Sequence, residues 1–294
     1  MPDEIAFDEE FLERLEALKL LAARAAGGRI EGSRIGTGRG GHVEFKDFRK
    51  YSPGDEIRYV DWNVYARIGK LFIKEFAREE ESDVALLVDA SASMGFGTPT
   101  KFTMARRVAA ALAYVGLAGM DAVTVAAFAG GEVSRLPVST GTAQIHGILE
   151  GLERLHAAGA SDLGESVKRL LGEGRLRGTA VVISDLWDDG GALAPLRVMA
   201  EHRLDVVLIH LLSPQEVDPE AAGRLTMTDA ETGAAIPANV GARSRAEYTS
   251  EVQAWLAEVE AFASQHGIRY VRATTDTPFE ELVLHYLTRG KVLG

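Results

Sequence analysis

The stretch LLVDASASMGF at residues 86–96 places one carboxylate and two hydroxyls directly after an apolar run. Asp89, Ser91 and Ser93 alternate with alanine, a pattern compatible with a metal site, a nucleophile elbow, a phosphate-binding loop or a polar turn. A nucleophile elbow needs Gly-x-Ser-x-Gly, and DASAS lacks the first glycine. The glycine-rich GTGRGG at 36–41 is not followed by the Lys-Ser/Thr pair of a P-loop.

Two further segments put oxygen-bearing side chains at equivalent places. Asp185 follows an apolar run in VVISDLWDD, and Ser161 lies with Asp162 in AGASDLGES, in a loop that opens a predicted helix. In an open α/β sheet, ligands gather beyond the carboxyl ends of the strands. Two carboxylates and hydroxyls from three loops would suit Mg²⁺, a hard ion that prefers oxygen ligands. Because this shell is weakly anionic, the ion would keep positive charge for a carboxylate from a partner.

Each of these residues also has a purely structural interpretation. Serine and aspartate after a strand commonly cap helices and form turns. The coincidence of three loops at one edge of a sheet is what favours a metal site over three separate caps.

The elements that must position these loops are strands and helices in alternation from residue 83 onward. Runs rich in Val, Ile, Leu and Ala predict strands at 84–89, 122–128, 132–137, 179–184, 205–211 and 268–272. Helices are predicted at 100–118, 142–156, 162–172, 191–202, 246–265 and 278–289. Ala129-Gly130-Gly131 joins the second and third strands as a hairpin. The chain is therefore predicted to form a doubly wound, mostly parallel α/β sheet with one antiparallel edge strand.

Other regions precede or interrupt this alternation. Residues 8–26 have the apolar spacing of an amphipathic helix, and 29–80 combine glycines and turn signals with short alternating runs typical of small strands. Residues 213–245 carry three prolines and include RLTMTDAETGAAI, which is typical of a short hairpin. We predict a helical and β-rich accessory segment at 1–82 and an α/β domain at 83–294, with a surface excursion at 213–245.

The motif Asp89-Ala-Ser91-Ala-Ser93 resembles the Asp-x-Ser-x-Ser motif of von Willebrand factor A-type domains. The resemblance covers residues 83–290, aligns Asp185 with that family's third-loop aspartate and puts Ser161 where the family usually has threonine. In that family the motif forms a metal-ion-dependent adhesion site. The resemblance thus implies a sheet of von Willebrand A type and a site for Mg²⁺, with Mn²⁺ or Ca²⁺ as alternatives. It implies these metal ligands, directly or through water: Asp89, Ser91, Ser93, Ser161 and Asp185.

A second resemblance covers residues 36–80. The segment GRGGHVEFKDFRKYSPGDEIRYVDWNVYAR is similar to the signature of the domain-of-unknown-function family fifty-eight. The matching pieces are Arg49, Tyr51, Pro53-Gly54-Asp55, Arg58, Asp61-Trp62 and Ala66-Arg67. That family is associated with MoxR-type AAA+ ATPases in the assembly or maturation of protein complexes, so the resemblance implies such an ATPase, or its client, as partner. Within the segment we expect Trp62 to be an apolar anchor and the arginines to pair with the aspartates.

Composition limits the remaining classes of function. The chain has 294 residues, 46% of them hydrophobic, which is enough for a sizeable core. A net charge of -11 argues against broad nucleic-acid binding, and the absence of cysteine excludes disulfides, thiolate nucleophiles and cysteine zinc sites. The N-terminus is acidic where a signal peptide is basic, and no window reaches the roughly 18 apolar residues of a membrane span. A cytoplasmic protein is expected.

These observations favour a non-enzymatic, metal-dependent protein-interaction module, in which an Asp or Glu of the partner completes the metal shell. Two alternatives stay open. One is a metal-dependent hydrolase that uses the same carboxylates with Asp188, Asp189 or His210 as general base. The other is a scaffold whose site is degenerate and binds no metal.

Overall fold

The computed structural model describes residues 7–25, 44–51, 62–77, 83–174, 176–188 and 191–289. The described residues belong to two compact units. One contains residues 7–25 together with the residues from 83 onward, and the other contains the residues between 44 and 77.

Within these ranges, the strands are β1 (Glu44–Lys50), β2 (Phe72–Ala77), β3 (Asp83–Asp89), β4 (Ala122–Ala129), β5 (Glu132–Arg135), β6 (Thr179–Ser184), β7 (Asp205–Leu212), β8 (Gly223–Thr228), β9 (Ala235–Val240) and β10 (Arg269–Thr274). The helices are α1 (Glu9–Ala25), α2 (Trp62–Ile68), α3 (Lys101–Ala118), α4 (Ile145–Glu153), α5 (Leu163–Gly172), α6 (Leu193–Glu201), α7 (Pro214–Val217), α8 (Ala242–Gln265) and α9 (Phe279–Arg289). Short 3₁₀ turns occur at Ala92–Gly95 and Thr142–Gln144.

The larger unit is built on a six-stranded sheet with the order β10-β7-β6-β3-β4-β5. All neighbouring pairs are parallel except β4 and β5, so the predicted mostly parallel sheet with one antiparallel edge strand is confirmed. The chain runs from β3 outward to β4 and then returns to place β6 on the other side of β3. The neighbours β3 and β6 therefore flank a switch point, where connections leave in opposite directions and open a crevice at the carboxyl edge.

Helices cover both faces of this sheet because its central strands are apolar on both sides. On β3, Leu86 and Val88 enter one core and Ala85 and Leu87 enter the other. The first core is covered by α1, α3, α4 and α9, and the second by α5, α6 and α8. Most residues of α3 are buried, because this helix lies between the sheet and other helices.

The N-terminal helix differs from the expectation drawn from the sequence, which grouped it with the accessory segment. In the structure α1 belongs to the larger unit, because its apolar stripe of Phe11, Leu15 and Leu18 is buried in contact with α3 and α9. The rings of Phe11 and Phe279 lie 5.2 Å apart. The helix thus completes the core on one face of the sheet.

The smaller unit contains an antiparallel pair, β1 and β2, with a register shift between Phe45 and Asp47. It also contains α2, which the sequence analysis did not predict. Trp62 is 57% exposed and meets Tyr65 edge-on at 6.1 Å, so the expectation that it anchors the segment is wrong. The turn 53–55 and the predicted partners at 58 and 61 lie outside the described residues.

The excursion after β7 contains the short helix α7 and then β8 and β9. These two strands pair in antiparallel fashion from Gly223↔Val240 to Thr228↔Ala235, which confirms the predicted hairpin. Among the helices of the described ranges, none combines the length and the apolar character that a transmembrane segment requires.

Candidate functional site

Asp89 is the last residue of β3 and is completely buried. Its Oδ1 accepts a hydrogen bond of 2.9 Å from the backbone N–H of Ser91. Its Oδ2 accepts from Ser184 Oγ at 2.6 Å and from Ser161 Oγ at 3.3 Å. One carboxylate therefore gathers hydroxyls from the end of β6 and from the loop of Ser161. Ser184 was missed by the sequence analysis, although it directly precedes Asp185 at the end of a neighbouring parallel strand.

Ser91 and Ser93 follow Asp89 in the loop that opens the first 3₁₀ turn. Their Oγ atoms lie 3.0 Å apart. Ser91 stands at the N-cap of that turn, but its side chain accepts no capping hydrogen bond. The capping interpretation therefore does not account for its hydroxyl. Ser91 is buried and Ser93 is half-buried, so the pair leads from the carboxylate toward the surface.

The loop of Ser161 is fastened to the first loop by backbone hydrogen bonds. Ala92 N donates to Gly159 O and Ala158 N donates to Ala90 O, each at 2.8 Å. Asp162 next to Ser161 caps α5, since its side chain accepts from Glu165 N at 3.0 Å. Asp162 and Ser161 thus have different roles, since the aspartate caps α5 and the serine hydroxyl donates to Asp89.

Asp185 directly follows β6 and is completely buried in an ion network. Lys101 Nζ lies 2.6 Å from Asp185 Oδ2 and also binds Glu216 Oε1. Asp185 Oδ1 accepts from Trp187 N at 3.1 Å, and Trp187 Nε1 donates to Glu216 Oε1 at 3.1 Å. The turn depends on Leu186, which has a positive φ of 55°. Lys101 and Glu216 carried no signal in the sequence, where Lys101 lies in a predicted helix and Glu216 in the predicted surface excursion.

Burial, with the nearby negative charge of Asp185, raises the pKa of Asp89 to about 6. Within the described part of the chain, no Lys, Arg or His lies at ion-pair distance from Asp89, whereas Lys101 neutralises charge on Asp185. The two carboxylates at the switch point therefore differ in how their charge is compensated: Asp185 is paired with a lysine, and Asp89 is held by hydrogen bonds. Asp189 lies outside the described residues, and Asp188 is half-buried near the site.

His210 lies beneath this edge and is completely buried. Its Nε2 is 3.0 Å from Asp185 O, and its Nδ1 is 2.9 Å from the Tyr270 hydroxyl. Because a carbonyl oxygen only accepts, Nε2 carries the proton and Nδ1 accepts from the tyrosine. Both ring nitrogens are occupied by protein groups, so the geometry gives no support to His210 as the general base of a hydrolase.

Comparison with known proteins identifies the family. The model of the family described as Protein of unknown function DUF58 matches residues 47–257. This chain belongs to the DUF58 family. Uncharacterized proteins of Mycobacterium bovis and Mycobacterium tuberculosis are 28% identical to this DUF58 chain over 295 residues, which cover 98% of it and 93% of each relative. The second resemblance drawn from the sequence is thereby confirmed.

Solved structures similar to this DUF58 chain include von Willebrand A-type domains. The conserved hypothetical protein BatB of Bacteroides thetaiotaomicron has a TM-score of 0.45 and 16% identity, covering 71% of this chain and 98% of BatB. The VWA domain of SpRpn10 has a TM-score of 0.41 and 11% identity, covering 69% of this chain and 93% of that domain.

The donor set of the DUF58 chain fits a hard divalent cation. Within the described ranges, no three His, Cys, Asp or Glu side chains gather as a possible metal site. A cation here would therefore depend on serine hydroxyls in addition to two carboxylates. Hydroxyl and carboxylate oxygens are ligands suited to Mg²⁺, Mn²⁺ or Ca²⁺ and poorly suited to softer metals. The five residues named from the sequence carry such oxygens and lie at the carboxyl edges of β3 and β6 or in the loop fastened beside them, with Asp185 Oδ2 held by Lys101 Nζ.

Proposed function

We propose that this DUF58 protein is a non-enzymatic, metal-dependent protein-interaction module. The hydroxyls of Ser91, Ser93 and Ser161 would hold a divalent cation, with Mg²⁺ as the first candidate. Asp89 and Asp185 would bind it directly or through water. When bound, the cation supplies a positive charge with an open coordination position that a carboxylate of a partner can fill.

The observation that carries this proposal is the environment of Asp89. A fully buried carboxylate is costly unless positive charge or hydrogen bonds compensate it. Asp89 receives hydrogen bonds from Ser91, Ser184 and Ser161, but among the described residues it has no cationic partner. The hydroxyls of Ser91 and Ser93 converge beside it without serving as helix caps. A divalent cation would supply the missing positive charge and use these free oxygen lone pairs.

The identity of the partner is proposed from the family resemblance. The resemblance to the DUF58 family implies an association with MoxR-type AAA+ ATPases, so the partner would be such an ATPase or a client that the ATPase remodels. It would present an Asp or Glu to the cation.

Metal binding is tested by titrating the full chain with Mg²⁺ under calorimetry while following tryptophan fluorescence, to which Trp187 contributes beside Asp185. We expect saturable binding at millimolar or lower Mg²⁺. Ser93→Ala should weaken the affinity at least tenfold, which is about 1.4 kcal/mol. Ser264→Ala, an exposed serine on α8, is the matched control and should bind like the wild type.

Partner binding is tested with a purified MoxR-type ATPase, by comparing its capture on the wild type with and without EDTA. We expect EDTA and Ser93→Ala each to reduce capture strongly. Capture that is unchanged by both would remove the cation from recognition. Absence of any Mg²⁺ heat, together with no stabilisation of the fold by the ion, would show that the site is degenerate.

A further inference from the structure

Glu231 at the tip of the β8–β9 hairpin reaches the candidate metal site from outside the sheet. Its Oε1 accepts a hydrogen bond of 3.1 Å from the backbone N–H of Ser161, one of the five candidate ligand residues. All other residues from 221 to 237 are exposed, whereas Glu231 is half-buried. Glu231 therefore links the hairpin to the candidate site.

The hairpin tip is shaped to present that carboxylate. Asp229 Oδ1 accepts from Glu231 N at 3.0 Å, from Thr232 N at 2.6 Å and from Thr232 Oγ1 at 2.8 Å. Asp229 N donates to Ala234 O at 2.8 Å and closes the turn. Such side-chain to backbone bonds fix the local geometry of a turn. The turn thus fixes the backbone from which the Glu231 side chain reaches Ser161 N.

The electrostatic surroundings of Glu231 are negative. The carboxylates of Asp185, Asp229 and Asp188 all contribute negative charge at Glu231, whose own carboxylate accepts a hydrogen bond from Ser161 N. A carboxylate gains nothing from such neighbours unless a cation lies among them. The hairpin would swing away at little cost, because its apolar residues Met227 and Ile236 are already 51% and 62% exposed.

We propose that Glu231 is an internal carboxylate ligand of the cation at this edge, and that a carboxylate of the partner must displace it. This inference rests on the proposed function, since it assumes that a cation binds there. With the cation bound, the Glu231 carboxylate would leave Ser161 N and fill the open coordination position. Displacement of Glu231 would free the hairpin and expose the cation, so the hairpin regulates access to the site.

The test compares the full-length wild type with Glu231→Gln, Glu220→Gln and Ser93→Ala. Glu220 is exposed in the same excursion, so Glu220→Gln makes the same change of charge away from the site. Affinity for Mg²⁺ alone is measured by calorimetry. Hydrogen–deuterium exchange of residues 229–233 is measured with and without Mg²⁺.

We expect Glu231→Gln to weaken Mg²⁺ binding at least tenfold and Glu220→Gln to leave it unchanged. Mg²⁺ should slow exchange at 229–233 in the wild type and not in Glu231→Gln. Equal affinity of the wild type and Glu231→Gln would overturn the inference while leaving the proposed function intact, provided that Ser93→Ala still binds weakly. Weakened binding without Mg²⁺-dependent protection of the hairpin would also overturn it, because the charge would then act only at a distance. If the wild type binds no Mg²⁺, the proposed function itself fails.

Discussion

Replacing Lys101 by methionine would remove the only cation seen to bind Asp185 and Glu216 among the described residues. The Lys101 side chain is completely buried, and its Nζ lies 2.6 Å from Asp185 Oδ2 while also binding Glu216. The Asp185 side chain is fully buried and that of Glu216 is 12% exposed. Methionine fills a similar volume, so the change removes charge with little change in packing.

The expected loss in the free energy of unfolding follows from the burial of the two carboxylates that lose their cation. Removing one partner of a buried ion pair typically costs about 3–5 kcal/mol, because the remaining charge is uncompensated in a medium of low polarity. Here two carboxylates lose their cation, so we expect the upper half of that range at pH 7. For a chain of this length, such a loss lowers Tm by about 6–10 °C.

The assay is urea unfolding at pH 7 in EDTA, followed by circular dichroism and tryptophan fluorescence. Lys168→Met is the matched control, because Lys168 is 74% exposed and pairs with Glu165 at 3.3 Å on the surface. This control should cost less than about 0.5 kcal/mol. In a Glu216→Gln background the cost of Lys101→Met should fall by about 1–3 kcal/mol, because fewer carboxylates are then left unpaired.

A loss of stability in Lys101→Met no larger than in the surface control would refute a stabilising role for this network. That result would mean that the attraction between Lys101 and its acids is fully offset by the cost of burying all three charges. An unchanged cost in the Glu216→Gln background would show that Glu216 contributes nothing to the network.

Two further predictions concern the scaffold. Gly178→Ala should lower the free energy of unfolding by about 2–5 kcal/mol, because φ is +63° and a Cβ would lie 2.4 Å from Asp83 O. Gly174→Ala, with φ of +65° and open space around it, should cost only about 1–2 kcal/mol in the same urea assay; equal costs would contradict the predicted clash. Burial lowers the pKa of His210 to about 4, so the unfolded state binds more protons between pH 6.5 and 4 and stability is lost as the pH falls through that window. Relative to His210→Gln, the wild type should lose about 3 kcal/mol between pH 7 and 4, and parallel stability profiles would argue against this account. Asp89 titrates in both proteins and cancels in the difference.

Much of the scaffold and part of the site could be predicted from neighbouring residues. The apolar run before Asp89 predicts a strand buried on both faces, and the glycines after β4 predict the hairpin to β5. Parallel strands share one carboxyl edge, so the rule for open α/β sheets places Asp89 and Asp185 at the same end. The exposed Trp62 shows where this reasoning fails, because an apolar residue type does not reveal which surface it meets. The helix α2 was missed for a related reason: a seven-residue helix offers too short a periodic pattern to be separated from turns.

The sequence by itself determined the strand-and-helix alternation and the order of the oxygen donors along the chain, because these depend on local propensity and spacing. Only the tertiary structure decided which groups compensate those donors. Lys101 and Asp185 are 84 residues apart, Ser184 and Asp89 are 95 apart, and Glu231 and Ser161 are 70 apart. Contacts across such separations depend on how whole layers pack and leave no periodic trace in the sequence. The charge balance of this edge is therefore a property of the fold.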